Sequence, residues 1–148
     1  MKKSFKGRPI LAGNIEGEAL VTKNGFNTYA SFFTSIHLPS DKAICADSSN
    51  RELYGKNLAA KIICLPNTTG STSGGAVWQR LVRMGNAPKA MLFSQKIDSL
   101  GAGGLVVADI WAGKRIYAVD QLGDDFLETV KEGDRLVIKE DGTVIIRD

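Results

Sequence analysis

The sequence predicts a mixed α/β domain built from many short strands and few helices. Three observations carry that expectation. An apolar run, Ile62-Ile63-Cys64-Leu65, leads into a polar, glycine-rich stretch, Pro66 to Gly75, and then into an amphipathic run, Ala76 to Met84; this order reads strand, turn, helix. Other apolar runs are equally short and separated by turn residues. Near the end, Asp141-Gly142 stands between two alternating apolar stretches, which is a hairpin signal.

Taken in order, Pro9 to Ala12 and Glu18 to Thr22 read as short strands, joined by the turn around Gly13-Asn14 and Gly17. Phe26 to Phe33 mixes aromatic and polar residues and reads as a strand. Ser35 to Leu53 is rich in Pro, Asp, Ser and Asn, so it reads as a long loop with a short strand near Ala43 to Ala46. Lys56 to Leu65 reads as a strand with a polar start. In the helix that follows, Val77, Leu81 and Met84 recur at i, i+4 and i+7, with Trp78 and Val82 beside them. Ser71 or Ser73 suits its N-cap, Gly85 its C′ position, and Pro88 follows. Ala90 to Ser94 reads as a buried strand, Ile97 to Ala102 as a short helix, and Leu105 to Ala108 and Ile116 to Val119 as buried strands. Asp124 to Lys131 reads as a helix ending near Gly133, and Arg135 to Lys139 with Thr143 to Arg147 as the hairpin.

Composition narrows the class. The 148 residues are enough for one domain (1-148) with a real core, and 43% are hydrophobic and 24% charged, as in ordinary globular proteins. The 19 basic and 16 acidic residues leave a net charge of +3, and the basic ones are scattered beyond Lys2-Lys3 and Lys6/Arg8. Nucleic-acid binding needs a clustered basic stripe, so it is not expected. No apolar segment follows the basic N-terminus as in a signal peptide, and no apolar run is long enough for a membrane span, so no membrane and a cytoplasmic location are expected. The two cysteines, Cys45 and Cys64, lack C-x-x-C spacing, and Cys64 reads as a small buried hydrophobe.

Chemistry points first to Gly70-Ser71-Thr72-Ser73. A helix N-terminus offers unpaired N–H groups and a positive dipole end, and it suits a carboxylate or phosphate. The plainer reading is a capped helix start, since Ser and Thr are the usual N-caps. The stretch lacks the lysine of a P-loop and the glycine spacing of a nucleophile elbow. His37, the single histidine, has apolar neighbours and reads as a loop or half-buried residue rather than a triad member. One histidine, two separated cysteines and loose aspartates make no metal site, so metal ligands are not expected. Asp47, Asp98, Asp109 and Asp120 fall near element ends, where caps favour Asp. Arg8 and Lys6 suit an acidic ligand or plain solvation, and Trp78 and Trp111 a core or an interface.

Five stretches then occur in one order: Lys6-Gly7-Arg8, Glu16 to Val21, Leu53-Tyr54-Gly55-Lys56, Leu65-Pro66 with Gly70-Ser71-Thr72, and Gly85 to Ala90. This series, over roughly residues 6 to 120, resembles the small subunit, or swivel domain, of the aconitase X family. The resemblance implies a swivelling β/β/α domain that closes over a large catalytic subunit. It implies a hydro-lyase, acting on mevalonate 5-phosphate in archaeal members and on cis-3-hydroxy-L-proline in bacterial ones. It implies Ser71 as the candidate base, with Gly70, Thr72 and Ser73 about the small acidic substrate. The iron–sulfur cluster is expected in the partner, with no cofactor in this chain. Thr34-Ser35-Ile36-His37 stands where many members carry Gly-Gly-Val-Asp, and Asn50-Arg51 where members often carry a histidine. A stand-alone carboxylate- or phosphate-binding module is the alternative, and a structural protein with Ser71 only as a cap is the third reading.

Overall fold

The computed structural model describes residues 3–38, 40–69 and 74–147. The chain opens with β1 (Lys3–Lys6) and β2 (Arg8–Leu11), separated only by Gly7. After β3 (Ile15–Val21) and the two-residue β4 (Phe26–Asn27) comes helix α1 (Thr28–His37). Then follow β5 (Ile62–Leu65), β6 (Thr68–Thr69), α2 (Gly74–Met84), β7 (Ala90–Phe93) and α3 (Ser99–Ala112). The chain ends with β8 (Tyr117–Asp120), α4 (Asp124–Thr129), β9 (Arg135–Ile138) and β10 (Thr143–Arg147).

The main sheet runs β1-β10-β9-β3-β5-β7-β8-β2. Its first part is antiparallel, β3-β5-β7-β8 are parallel, and β2 is antiparallel to β8. Because β1 and β2 are consecutive, the two ends of the sheet are joined through Gly7. A side chain there has no room: a Cβ on Gly7 would lie 2.6 Å from the carbonyl oxygen of Asp120 and 2.6 Å from Val119 Cγ1. The hairpin turn folds back onto the same spot, with the Gly7 N–H donating to the Gly142 carbonyl at 2.9 Å and Gly142 at φ +92°.

Alternation along the strands builds two cores. On β5, Ile62 and Cys64 face the antiparallel part, while Ile63 and Leu65 face the helices. On β7, Ala90 and Leu92 face one way and Met91 and Phe93 the other. The interior core adds Leu136, Ile138, Val144 and Ile146, with Phe126 and Leu127 of α4. The outer core packs Phe32 of α1, Trp78 and Leu81 of α2, and Leu105 and Ala108 of α3 on the parallel part. The layers are therefore sheet, sheet and helices, the β/β/α arrangement expected.

Five sequence expectations change. Only Phe26–Asn27 of the Phe26 to Phe33 segment is strand; Thr28 onward is helix, capped by the Asn27 side chain, which accepts the Ala30 N–H at 3.0 Å. The buried face of α1 is Thr28, Ser31, Phe32 and Ser35, so hydroxyls occupy the helical stripe and disguise its period. Leu105 to Ala108 is not a strand but the middle of α3, a helix far longer than the short one expected at Ile97 to Ala102. Its outward residues are apolar too, so the amphipathic contrast is missing. Strand β5 begins only at Ile62; residues before it form turns, with Ala60 at φ 59°. In the Ser35 to Leu53 segment α1 reaches His37, and the strand near Ala43 to Ala46 is reduced to the bridge Ile44–Asn57.

Candidate functional site

Every parallel strand delivers a polar loop to the same edge, the C-terminal edge of the parallel sheet, where open α/β sheets place their ligands. Strand β3 leads into Thr22, β5 into Pro66 to Thr69, β7 into Ser94 to Asp98, and β8 ends on Asp120.

The loop after β3 is fixed by Glu52. Its Oε1 accepts Thr22 Oγ1 at 2.8 Å, the Lys23 N–H at 2.9 Å and Asn24 Nδ2 at 2.9 Å. That brace holds β4 in place, and β4 runs parallel to β6, pairing Phe26 with Thr68 and Asn27 with Thr69. Thr68 Oγ1 in turn donates to Asp98 Oδ1 at 2.8 Å, and Asp98 caps α3 by accepting the Gly101 N–H at 3.1 Å. The first turns of α1 and α3 thus stand beside β6, and α2 begins at Gly74, five residues after Thr69. Orphan N–H groups and positive dipole ends gather there. Gly70, Ser71, Thr72 and Ser73, the residues expected to form the site, lie outside the described residues; both flanks of the turn are described.

Next to this cluster a buried carboxylate ties three elements together. Asp120, at the end of β8, is fully buried. Arg8 of β2 grips it side-on, Nε to Oδ1 at 3.0 Å and Nη2 to Oδ2 at 2.8 Å, and the Ile97 N–H donates to Oδ2 at 2.8 Å. Burial by itself would raise the Asp120 pKa; the hydrogen bonds from Arg8 and Ile97 outweigh it and hold the carboxyl below its ordinary range. Gln121, the next residue, has φ 57°, an uncommon conformation for a side-chain-bearing residue. The Ser94 hydroxyl at the end of β7 is buried with no hydrogen-bond partner among the described residues.

Other sequence candidates sit apart. His37 is the exposed last residue of α1, against Phe33 at a ring-centroid distance of 4.6 Å. Cys64 lies in the interior core and Cys45 in the outer one, both as free thiols, and burial pushes both thiol pKa values up. Among the described residues, no group of three His, Cys, Asp or Glu side chains converges as a metal site. Asp47 closes a turn on Ser49, Asp109 pairs with Arg115, and Asp124 and Asp125 open α4. Trp78 is core, whereas Trp111 is 70% exposed beside Ile110 on α3. Sequence reasoning weighed Arg8 and Asp120 separately and passed over Lys96; the Arg8–Asp120 pair spans 112 residues, and its only local trace is the Lys6-Gly7-Arg8 stretch.

Comparison with known proteins agrees with this architecture. The family model described as the aconitase X swivel domain matches residues 4–146. The chain is 36% identical over 137 residues to the phosphomevalonate dehydratase small subunit of Archaeoglobus fulgidus, covering 93% of this chain and 92% of that protein. It is 32% identical over 139 residues to the protein of the same name from Methanocella arvoryzae, covering 94% and 93%. Among solved structures it is similar to the holo-form crystal structure of Thermococcus kodakaraensis aconitase X, with a TM-score of 0.82, 26% identity and 99% of each chain covered. The chain belongs to the aconitase X swivel-domain family. Among the described residues, no helix is long and apolar enough to cross a membrane.

Proposed function

From that family membership, we propose that this chain is the small subunit of a two-chain dehydratase acting on mevalonate 5-phosphate, with Ser71 as the base. The names of its relatives, matched over nearly their whole length, favour this substrate over cis-3-hydroxy-L-proline. The observation that carries the site assignment is the setting of the turn. Its flanks stand at the C-terminal edge of the parallel sheet, beside the first turns of α1 and α3 and at the start of α2.

Dehydration beside a carboxylate removes a proton from carbon and expels a hydroxide. Ser71 Oγ takes that proton only as an alkoxide, and an ordinary hydroxyl is far from ionising at neutral pH. The gathered helix N-termini favour the negative oxygen. They do not suffice alone, so cationic groups of the large subunit complete the field. Gly70, Thr72 and Ser73 hold the acidic substrate against the same N–H groups. The expected cofactor, an iron–sulfur cluster, supplies a Lewis acid for the leaving hydroxyl when bound. This chain's donors do not suit one: its two cysteines are buried on opposite faces of one sheet. The cluster belongs to the large subunit in this reading.

The test is co-expression with a large aconitase X chain under anaerobic conditions, then iron analysis and an assay on mevalonate 5-phosphate. A stoichiometric complex that carries iron and dehydrates the substrate is the expected result. A chain that stays alone and binds small acids unaided would overturn this in favour of a stand-alone binding module.

A further inference from the structure

A cavity of about 630 Å³ opens beside the Asp98–Thr68 contact, lined by Arg8, Ile10, Lys96, Ile97, Asp98, Ser99 and Ala102. It falls within the range of about 300–1,000 Å³ typical of small-molecule sites. Its wall is continuous with the proposed catalytic turn, because Asp98 is bonded to Thr68, and Thr68–Thr69 leads directly into Gly70.

Its charges are arranged unequally. Both nearby carboxylates are occupied by protein donors. Asp120 is buried under Arg8 and the Ile97 N–H, and Asp98 spends one oxygen on Thr68 and the other on the Gly101 N–H. The cations are engaged differently. Arg8 meets Asp120 through Nε and Nη2, the side-on edge of the guanidinium. Among the described residues that leaves Nη1, and the second N–H of Nη2, on the end-on edge, with the side chain 48% exposed. Asp120 therefore locks the orientation of a guanidinium whose remaining edge matches the geometry of a phosphate or carboxylate. Lys96 is a second basic residue lining the same cavity, and among the described residues only its backbone carbonyl is engaged, by Asn67 Nδ2 at 3.0 Å.

We propose that this cavity is the subsite for the phosphoryl end of the substrate, with Arg8 and Lys96 as its binding residues and Asp120 as the residue that positions Arg8. The assignment rests on the substrate proposed above. In mevalonate 5-phosphate the carboxylate adjoins the carbon that loses its proton, so it stays with the Ser71 turn. The phosphate lies at the other end of the chain and needs a cationic pocket adjoining that turn.

The first test titrates the full isolated chain with inorganic phosphate and, as a carboxylate control, with acetate, following amide and side-chain NMR signals. The expected result is a saturable shift at Arg8, Lys96, Ile97 and Ala102 with phosphate and a much weaker one with acetate. Equal response to both anions, or none to phosphate, would overturn the proposal. The second uses the two-chain enzyme with Lys96→Gln, an exposed substitution that spares the buried pair, and with Arg8→Lys. Each should raise KM for mevalonate 5-phosphate about tenfold, with the loss concentrated in KM rather than kcat. An active enzyme whose KM is unmoved by Lys96→Gln sinks the subsite while leaving the dehydratase reading intact. A complex inactive toward mevalonate 5-phosphate sinks that reading, and with it the assignment of this cavity to the substrate.

Discussion

The two faces of the parallel sheet are built from the same strands yet hold their groups in opposite ways. On the interior face, β9, β10 and α4 close over apolar side chains, and Phe126 and Leu136 have no exposed surface. At the sheet's C-terminal edge, toward the helical layer, polar side chains meet polar partners: Arg8 with Asp120, Thr22 with Glu52, Thr68 with Asp98. The interior gains its stability from area removed from water, which is non-directional. The edge gains geometry from directional bonds, which fix the orientation of its donors. Shape and chemistry are thus divided between regions that share β5 and β7.

The sharpest way to separate them is a pair of substitutions. Ser71→Ala should lower turnover of the two-chain enzyme by about 10²–10⁴-fold. Its cost in stability should be about 1 kcal/mol, that of a lost cap. Thermal melting and steady-state assay of the same sample check both; wild-type turnover would remove Ser71 from the chemistry. Phe126→Ala should do the converse, destabilising the chain by about 3–5 kcal/mol through a cavity in the interior core. Urea unfolding measures it, and a loss under about 1 kcal/mol would mean the interior core is loosely packed.

Gly7→Ala tests the seam where the sheet closes. The added methyl group meets backbone and Val119 at 2.6 Å, so a loss of about 1–3 kcal/mol is expected by the same assay.

Acid titration tests the edge. The Asp120 carboxyl is held below its ordinary pKa in the folded chain, so its stabilising contribution is present above the unfolded pKa of about 4. It is lost as pH falls from there through the lower folded value. Asp141, held at about 2 mainly by hydrogen bonds from Thr143 and also by one from Lys6, adds to the same acid limb. Asp120→Asn should therefore flatten the fall in stability below about pH 4 without abolishing it. An unchanged pH profile would show that the Arg8 pair does not persist in solution.

The smallest effect is expected at Trp111. Trp111→Ala on the exposed face of α3 should alter stability by no more than about 0.5 kcal/mol. If this face meets the large subunit, the same substitution weakens co-purification; unchanged recovery of the complex places the docking surface elsewhere.

Legibility followed the same division. The hairpin could be read from Asp141-Gly142, α2 from its apolar stripe and the buried strands β5, β7 and β8 from short apolar runs, because turn chemistry and periodicity are local. The helix α1 escaped because its buried face carries Thr28, Ser31 and Ser35, whose burial is set by neighbouring elements and not by their own polarity. The helix α3 escaped because an apolar exterior removes the contrast that marks a helix face. The Gly70–Ser73 stretch stood out as hydroxyls and glycines after an apolar run, and family resemblance attached a reaction to it.

What the sequence by itself determined is the C-terminal hairpin, helix α2, the buried strands β5, β7 and β8, the family and the one turn where hydroxyls and glycines concentrate. Only the tertiary structure decided that β1 and β2 join the ends of the sheet through Gly7. Only it placed Arg8 against Asp120 and set Lys96 beside them. Strand order and ion pairing depend on which distant segments meet. A pattern of neighbouring residues carries no record of a contact across 112 positions.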